Sequence, residues 1–285
     1  MRRLFGGIVM VMSIKPMSPF LGAEIEGVNL CGTLSSEVFA AINKALLEHI
    51  VVVVRGQKLS PKTYVEVMSQ FGVPGKQSHS KELHRDHPEI WIIDSRNSEI
   101  DAAGKRMVFG SECWHTDHTH LEKPPKLTSL YAVRLPETGG DTEFANAYRL
   151  YGRLSAERSE RISNLYVMYG ADRHVTFREA DRDSFSVPSR HPLVRTHPET
   201  GRRALYIHPL KMQSIEGMTT EESETFVNEL LEATIDLSEL YRHQWRLGDL
   251  VLIDNRACLH KAARDYDPTV GRVMHRMIIQ GDRPV

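Results

Sequence analysis

The sequence predicts a mainly β protein with flanking helices, and three observations carry that expectation. Short apolar and β-branched runs recur from about Trp91 to the C-terminus. Helical spacing is confined to a few segments, several of which open on a capping signal. Finally, His115, Asp117 and the distant His260 have the chemistry to share one ion, which requires a sheet closed on itself to bring their segments together.

The first third mixes both kinds of element. The start, Met1-Arg2-Arg3 followed by apolar residues through Met12, imitates a signal peptide, but the run is short, Lys15 follows and no small-residue cleavage site appears. Residues 1–20 are therefore expected to be a disordered leader, or to reflect a start codon placed too early, with Met10, Met12 and Met17 as alternatives. A single domain is expected over residues 21–285. Ser35-Ser36 precede Val38, Phe39, Ile42, Leu46 and Ile50 at helical spacing. Val51-Val52-Val53-Val54 reads as a buried strand. Ser60-Pro61 is an N-cap followed by a first-turn proline, giving a helix over about Thr63 to Phe71 that Gly72 stops.

Further on, strands are expected at Ile90–Ile93, Ser129–Val133, Thr142–Phe144, Ala204–Ile207, Leu250–Ile253 and Arg272–Ile279. The turn cluster Thr138-Gly139-Gly140-Asp141 introduces the third of these. One helix is expected over about Ala147 to Ile162. Another begins at Thr219-Thr220-Glu221-Glu222, which has capping-box spacing, with Phe226, Leu230 and Leu231 for its buried face. Asp172 to Arg190 is polar and aperiodic and reads as a long loop of the kind that lids a site; it contains His174.

Composition narrows the function classes. A formal net charge of -1 gives no global field for nucleic acid or an anionic membrane. Three cysteines without dense spacing argue against a disulfide framework and for a reducing compartment, so a cytoplasmic protein is expected. No apolar stretch approaches the roughly 18–20 residues of a membrane span.

The chemistry centres on Trp114-His115-Thr116-Asp117 and on His260. Residues two apart on a strand point to one side, so His115 and Asp117 can reach one ion together. Two imidazoles and a carboxylate that leave other positions open form the triad of oxygen-using non-haem iron(II) enzymes. Such a site needs an organic electron donor. A dicarboxylic 2-oxo acid chelates the metal at its keto acid end, and its far carboxylate wants a guanidinium and a hydroxyl. Arg272 and Arg276 share a face of the last strand. On a solvated surface they need no explanation; facing into a barrel they are anion receptors, because unpaired buried charge is costly. By the same alternation His118 and His120 face away from His115. A different grouping, Cys113, His115, Cys258 and His260, composes a closed zinc site of a binding module, although its spacing is unlike common zinc motifs. A catalytically silent barrel that only binds a small acid is a third reading.

Five ordered blocks then carry a resemblance. Trp114 to Asp117, Pro136 to Thr142, His191 to Pro198, Asp254-Asn255-Arg256 with His260, and Arg272 to Arg276 resemble the taurine dioxygenase / 2,4-dichlorophenoxyacetate dioxygenase family of iron(II)- and 2-oxoglutarate-dependent oxygenases. The resemblance runs from about Gly22 to the C-terminus. It implies a double-stranded β-helix, a cupin-like jelly roll with helices outside. It implies iron(II) on His115, Asp117 and His260, 2-oxoglutarate on Thr142 and Arg272, and O2 as oxidant. The expected reaction hydroxylates a C–H bond of a small anionic substrate (a sulfonate, sulfate ester, aryloxy acid or amino-acid-like carboxylate), releasing succinate and CO2. The presence of Asp117 itself argues for hydroxylation over halogenation.

Substrate-binding candidates are Arg276, Ser111, His79 and Tyr206. Two of these depart from the taurine enzyme's pattern. Ser111 stands where that enzyme has asparagine, and after Phe71-Gly72 the spacing offers Gln77, with His79 close by, where it has histidine. Tyr206 and His208 match a pocket-lining region, whereas His191, His197 and Trp114 read as structural. The resemblance also implies a homo-oligomer, and no nucleic-acid or membrane partner is expected.

Overall fold

The computed structural model describes residues 12–77, 82–97, 112–171, 187–263 and 265–285. Its large sheet combines β1 (Ser13–Pro16), β2 (Ala23–Glu26), β3 (Val51–Val54), β4 (Leu83–His84), β5 (His87–Asp94), β6 (Leu127–Arg134), β14 (Leu250–Asp254) and β16 (Val273–Ile279). The order across it is β1-β2-β3-β14-β6-β16-β5-β4, with only β2 and β3 parallel. The opposing layer is built from β13 (Tyr241–His243), β7 (Thr142–Asn146) and β15 (Cys258–Ala262), and from β12 (Met212–Ile215), β8 (Tyr166–Tyr169) and β9 (Ser189–Pro192). A ribbon of β10 (Val194–Thr196) and β11 (Arg203–Leu205) completes it.

The four valines of β3 and the run Leu250-Val251-Leu252-Ile253 of β14 explain the large sheet. None of these eight residues is more than 1% exposed, because both faces of their strands are covered. Val51, Val53, Val251 and Ile253 join the core shared with the smaller sheets. Val52, Val54, Leu250 and Leu252 join a second core under α1 (Ser36–His49) and α2 (Pro61–Ser69). Ser35 and Ser60 cap those helices as their sequence signals require. This is the jelly roll with outer helices that the resemblance implied.

Three expectations need correction. The leader expected over residues 1–20 overlaps the sheet, since Ser13–Pro16 pairs with Glu26–Ala23; residues 1–11 lie outside the described residues. The helix expected over about Ala147 to Ile162 is two, α3 (Ala147–Gly152) and α4 (Ala156–Ser163), because Ser155 turns out of the helix and caps the second. The loop expected to run to Arg190 ends sooner, where β9 pairs with β8; its residues 172–186, His174 included, lie outside the described residues. α5 (Thr220–Thr234) starts on the expected capping box of Thr219 and Glu222.

These elements differ in how much they contribute. Leu252→Ala empties a fully packed position in the central strand and should cost about 2–5 kcal/mol. Thr219→Ala removes one cap and should cost about 1 kcal/mol. Urea unfolding of both variants checks the ranking, and equal losses would contradict the burial argument.

Candidate active site

His115 and His260 meet as a cross-strand pair. His115 N donates to His260 O at 3.1 Å and His260 N donates to His115 O at 2.9 Å, an isolated antiparallel bridge on the edge of β15. Directly opposed residues project to the same face, and the two imidazole centroids lie 4.3 Å apart. The segment is not the extended strand that the His-x-Asp spacing suggested. After the single bridge at His115 the chain turns over residues 117–120. Asp117 nevertheless reaches the same point. Its carboxylate lies 3.7 Å from His115 Nε2 and 3.9 Å from His260 Nε2, and one ligand atom from each residue falls within 4.8 Å of the others.

The turn is held by Asn255, a residue whose role in the site sequence reasoning missed. Asn255 Oδ1 accepts from Asp117 N at 2.8 Å, and its Nδ2 donates to Asp117 O and Pro125 O. Thr116 Oγ1 donates to the carbonyls of Asn255 and Cys258. The neighbouring Asp254 is in turn locked by three bonds from Arg256, one of them from its backbone N, and by His197 at 3.0 Å. Thr128 of β6, also missed, donates to Asp117 Oδ2 at 2.9 Å.

The donor set fits a divalent metal. Cys113 O lies 2.8 Å from His115 Nδ1, which fixes the proton there and turns Nε2 towards Asp117. Burial opposes charge on His115, but the hydrogen bonds of Asp117 and Cys113 overcome it and raise its pKa to about 10. Burial and the adjacent His115 push His260 down to about 3. Burial likewise opposes ionisation of Asp117, yet Arg276 and His115 hold it well below the usual carboxylate range. One carboxylate thus shares one proton with two imidazoles, a place that a cation can take. The alternative zinc grouping is not formed. Among the described residues, only His115, Asp117 and His260 converge as a ligand group, and Cys258 Sγ is buried against Leu259 O.

A second compartment adjoins the triad. Thr142 stands two residues from Phe144 on β7, and Phe144 pairs with His260, so Thr142 shares that face. Trp245, another residue not foreseen, donates its Nε1 to Thr142 Oγ1 at 3.1 Å, and its ring lies 5.7 Å from the Arg272 guanidinium. Arg272 is 8% exposed, and its Nε donates to Gly140 O at 2.9 Å. Among the described residues no carboxylate lies within 4 Å of it, and burial lowers its pKa despite Tyr266, Asp141 and Asp265 nearby. Gly140 has φ +76°, and a Cβ there would meet Arg272 Cδ at 3.1 Å, so glycine is what lets the arginine approach. A buried guanidinium with no anion among the described residues, beside a hydroxyl, has the chemistry to hold a carboxylate.

Arg276 lies on the other side of the triad. It donates to Asp117 at 3.3 Å and to Gln77 at 3.3 Å, and its Nη2 lies 2.6 Å from His118 Nε2. His118 therefore does not face away as strand alternation required, because the chain turns at that point with a φ of 53°. His208 packs its ring 5.0 Å from that of His115. Tyr206 is fully buried, and its hydroxyl, which feels the charges of Arg195 and Asp117, has no hydrogen-bond partner. His79 and Ser111 lie outside the described residues.

The raised pKa of His115 has a measurable consequence. Its proton must leave before Nε2 can ligate, so iron(II) uptake near neutral pH should release about one proton. Apparent affinity should weaken about tenfold for each pH unit below that raised pKa. Proton release in weakly buffered solution checks this, and Asp117→Asn should abolish it.

The profile of the taurine catabolism dioxygenase TauD, TfdA family matches residues 13–278. An alkylsulfatase of Acinetobacter baylyi is 31% identical over 95% of this chain and 86% of that protein. A 2,4-dichlorophenoxyacetate dioxygenase of Cupriavidus pinatubonensis, α-ketoglutarate-dependent by its name, is 29% identical over 95% and 98% of the two chains. The crystal structure of a taurine dioxygenase from Burkholderia xenovorans superposes with a TM-score of 0.79 at 32% identity, over 96% of this chain and 92% of that one. With fold, ordered motifs and relatives in agreement, the chain belongs to the TauD, TfdA family of 2-oxoglutarate-dependent dioxygenases.

Proposed function

We propose that His115, Asp117 and His260 hold iron(II), that Thr142 and Arg272 hold the far carboxylate of 2-oxoglutarate, and that the enzyme hydroxylates a C–H bond of a small organic acid whose anionic group meets Arg276. The observation that carries this reading is Arg272, a buried cation without a carboxylate partner among the described residues, set beside a group of residues able to bind a metal.

Iron(II) with the keto acid and O2 supplies the oxidising power, with succinate and CO2 as the by-products. The chain's own contribution is orientation and electrostatics. Asn255 fixes the Asp117 backbone, and Cys113 O fixes the His115 tautomer. Trp245 orients the Thr142 hydroxyl by donating to its oxygen, which leaves the hydroxyl proton for a carboxylate. Arg276 sits against Asp117, so an acid group brought to it is anchored next to the metal position.

The substrate class rests on Arg276 and on the relatives, whose names point to sulfate ester and aryloxy acid chemistry. None of the three cysteines is in a disulfide and no described helix is long and apolar enough to cross a membrane, which suits a protein of the cytoplasm.

Anaerobic addition of 2-oxoglutarate to the iron(II)-loaded protein should produce a visible charge-transfer band, absent with either component alone. Succinate release over a panel of sulfonates, sulfate esters and aryloxy acids should then identify the substrate class. Arg272→Met should raise the 2-oxoglutarate KM by about 10–100-fold, the loss expected for one hydrogen-bonded charge pair, with iron affinity unchanged. No band from iron-loaded protein would overturn the reading.

A further inference from the structure

The sequence gives His118 no role, and alternation points it away from the metal ligands. The fold places it otherwise. His118 takes φ 53°, a left-handed conformation uncommon for a residue with a side chain. That conformation brings its Nε2 to 2.6 Å from Nη2 of Arg276. A guanidinium can only donate, so His118 Nε2 accepts, and the ring is neutral with its proton on Nδ1. The ring is backed by His120, 5.5 Å away, whose Nδ1 accepts from Lys211 Nζ at 3.0 Å.

The consequence lies in the proton inventory of Arg276. Its Nη2 carries two protons, and both are committed, one to His118 and one to Gln77 Oε1 at 3.3 Å. Nη1 donates to Asp117 at 3.3 Å and keeps a second proton. Nε is buried without a partner, and the guanidinium lies over Trp91 at 4.2 Å. A guanidinium offers a planar carboxylate two forks, Nη1 with Nη2 or Nε with Nη2. Both forks use Nη2.

We infer that His118 is a specificity-determining residue: by holding one proton of Arg276 Nη2, with Gln77 on the other, it denies a carboxylate the two-proton fork and leaves a single contact through Nη1. This inference rests on the reading that Arg276 meets the substrate's acid group. A carboxylate loses most under this constraint, because its two coplanar oxygens match the fork. A tetrahedral sulfo or sulfate group keeps one oxygen on Nη1 and directs the others elsewhere. The enzyme therefore selects sulfo oxyanions over carboxylates of equal length.

The test compares hexane-1-sulfonate with heptanoate, which have the same chain length, titrated calorimetrically without O2 into protein saturated with iron(II) and 2-oxoglutarate. Wild type should bind hexane-1-sulfonate about tenfold or more tightly than heptanoate, the factor that one charge-assisted hydrogen bond supplies. His118→Leu frees one Nη2 proton, and with it one fork, and should bring the two affinities within about threefold, chiefly by tightening heptanoate. His118→Gln restores an acceptor and should keep the wild-type ratio. The ratio is internal to each variant, so a general loss of stability does not imitate the result. An unchanged ratio in His118→Leu, or a wild type that prefers heptanoate or binds neither anion, would overturn the inference. The charge-transfer band separates these outcomes from failure of the iron and keto acid reading, since that band requires no substrate.

Discussion

The site depends on one pair of backbone hydrogen bonds. The mutual bridge between His115 and His260 joins an irregular segment to the edge of β15 and sets two imidazoles side by side, their planes 47° apart. It brings residues 145 positions apart in the chain into register. The rest of the surrounding structure protects the bridge. Asn255 and Thr116 tie down the chain on its far side, and the buried Asp254, Arg256 and His197 network fixes the turn that carries Asn255. A metal site needs its ligands preplaced to within a fraction of an ångström, and a two-bond bridge with a side-chain clamp beside it supplies that rigidity.

The buried arginines show where protein ends and ligand begins. Arg256 is as buried as Arg272, yet it meets Asp254 and Glu199, and its pKa is raised. Its partners come from the chain, so its role is architectural. Among the described residues Arg272 donates to Gly140 O and lies against the Trp245 ring with no carboxylate in salt-bridge reach, and burial lowers its pKa. Leaving a cation in that condition is expensive unless an anion arrives from outside. Arg276 is intermediate, shared among Asp117, Gln77 and His118. The same side chain on the same fold thus does three jobs, set by how many acceptors surround it.

Much of this was legible before any coordinates. β-branched runs located β3 and β14 because both faces of those strands are buried, and the capping residues Ser35, Ser60 and Thr219 located three helix starts. His115, Asp117 and His260 were legible through residue chemistry and ordered motifs. What failed was local geometry. The His-x-Asp spacing was read with strand alternation, but only His115 is paired and the chain turns at Asp117, so His118 faces inward. Asn255 lies in a block that carries the resemblance, but its role is not legible there, and Thr128 and Trp245 leave no signal, since a polar or aromatic residue that orients another looks like any core residue until its partner is placed. A strand as short as β10 is too brief to show a period.

Charge balance ties the compartments together. In the proposed complex His260 and His208 are neutral by burial, and His118 is neutral because Arg276 can only donate to it. Around the metal position, with His115 neutral as a ligand, the charges are then Arg272, Arg276 and a divalent ion against Asp117 and a dianionic keto acid, a single positive charge. A low-dielectric pocket disfavours that remainder, and a monoanionic substrate cancels it. A neutral substrate would leave Asp117 as the one anion in salt-bridge reach of Arg276 among the described residues, drawing charge from a proposed metal ligand. A dianion would overshoot and compete with Asp117 for the same guanidinium. On the proposed reading, substrate arrival is coupled to the metal: an incoming monoanion takes up the charge of Arg276 and frees Asp117 to serve the ion.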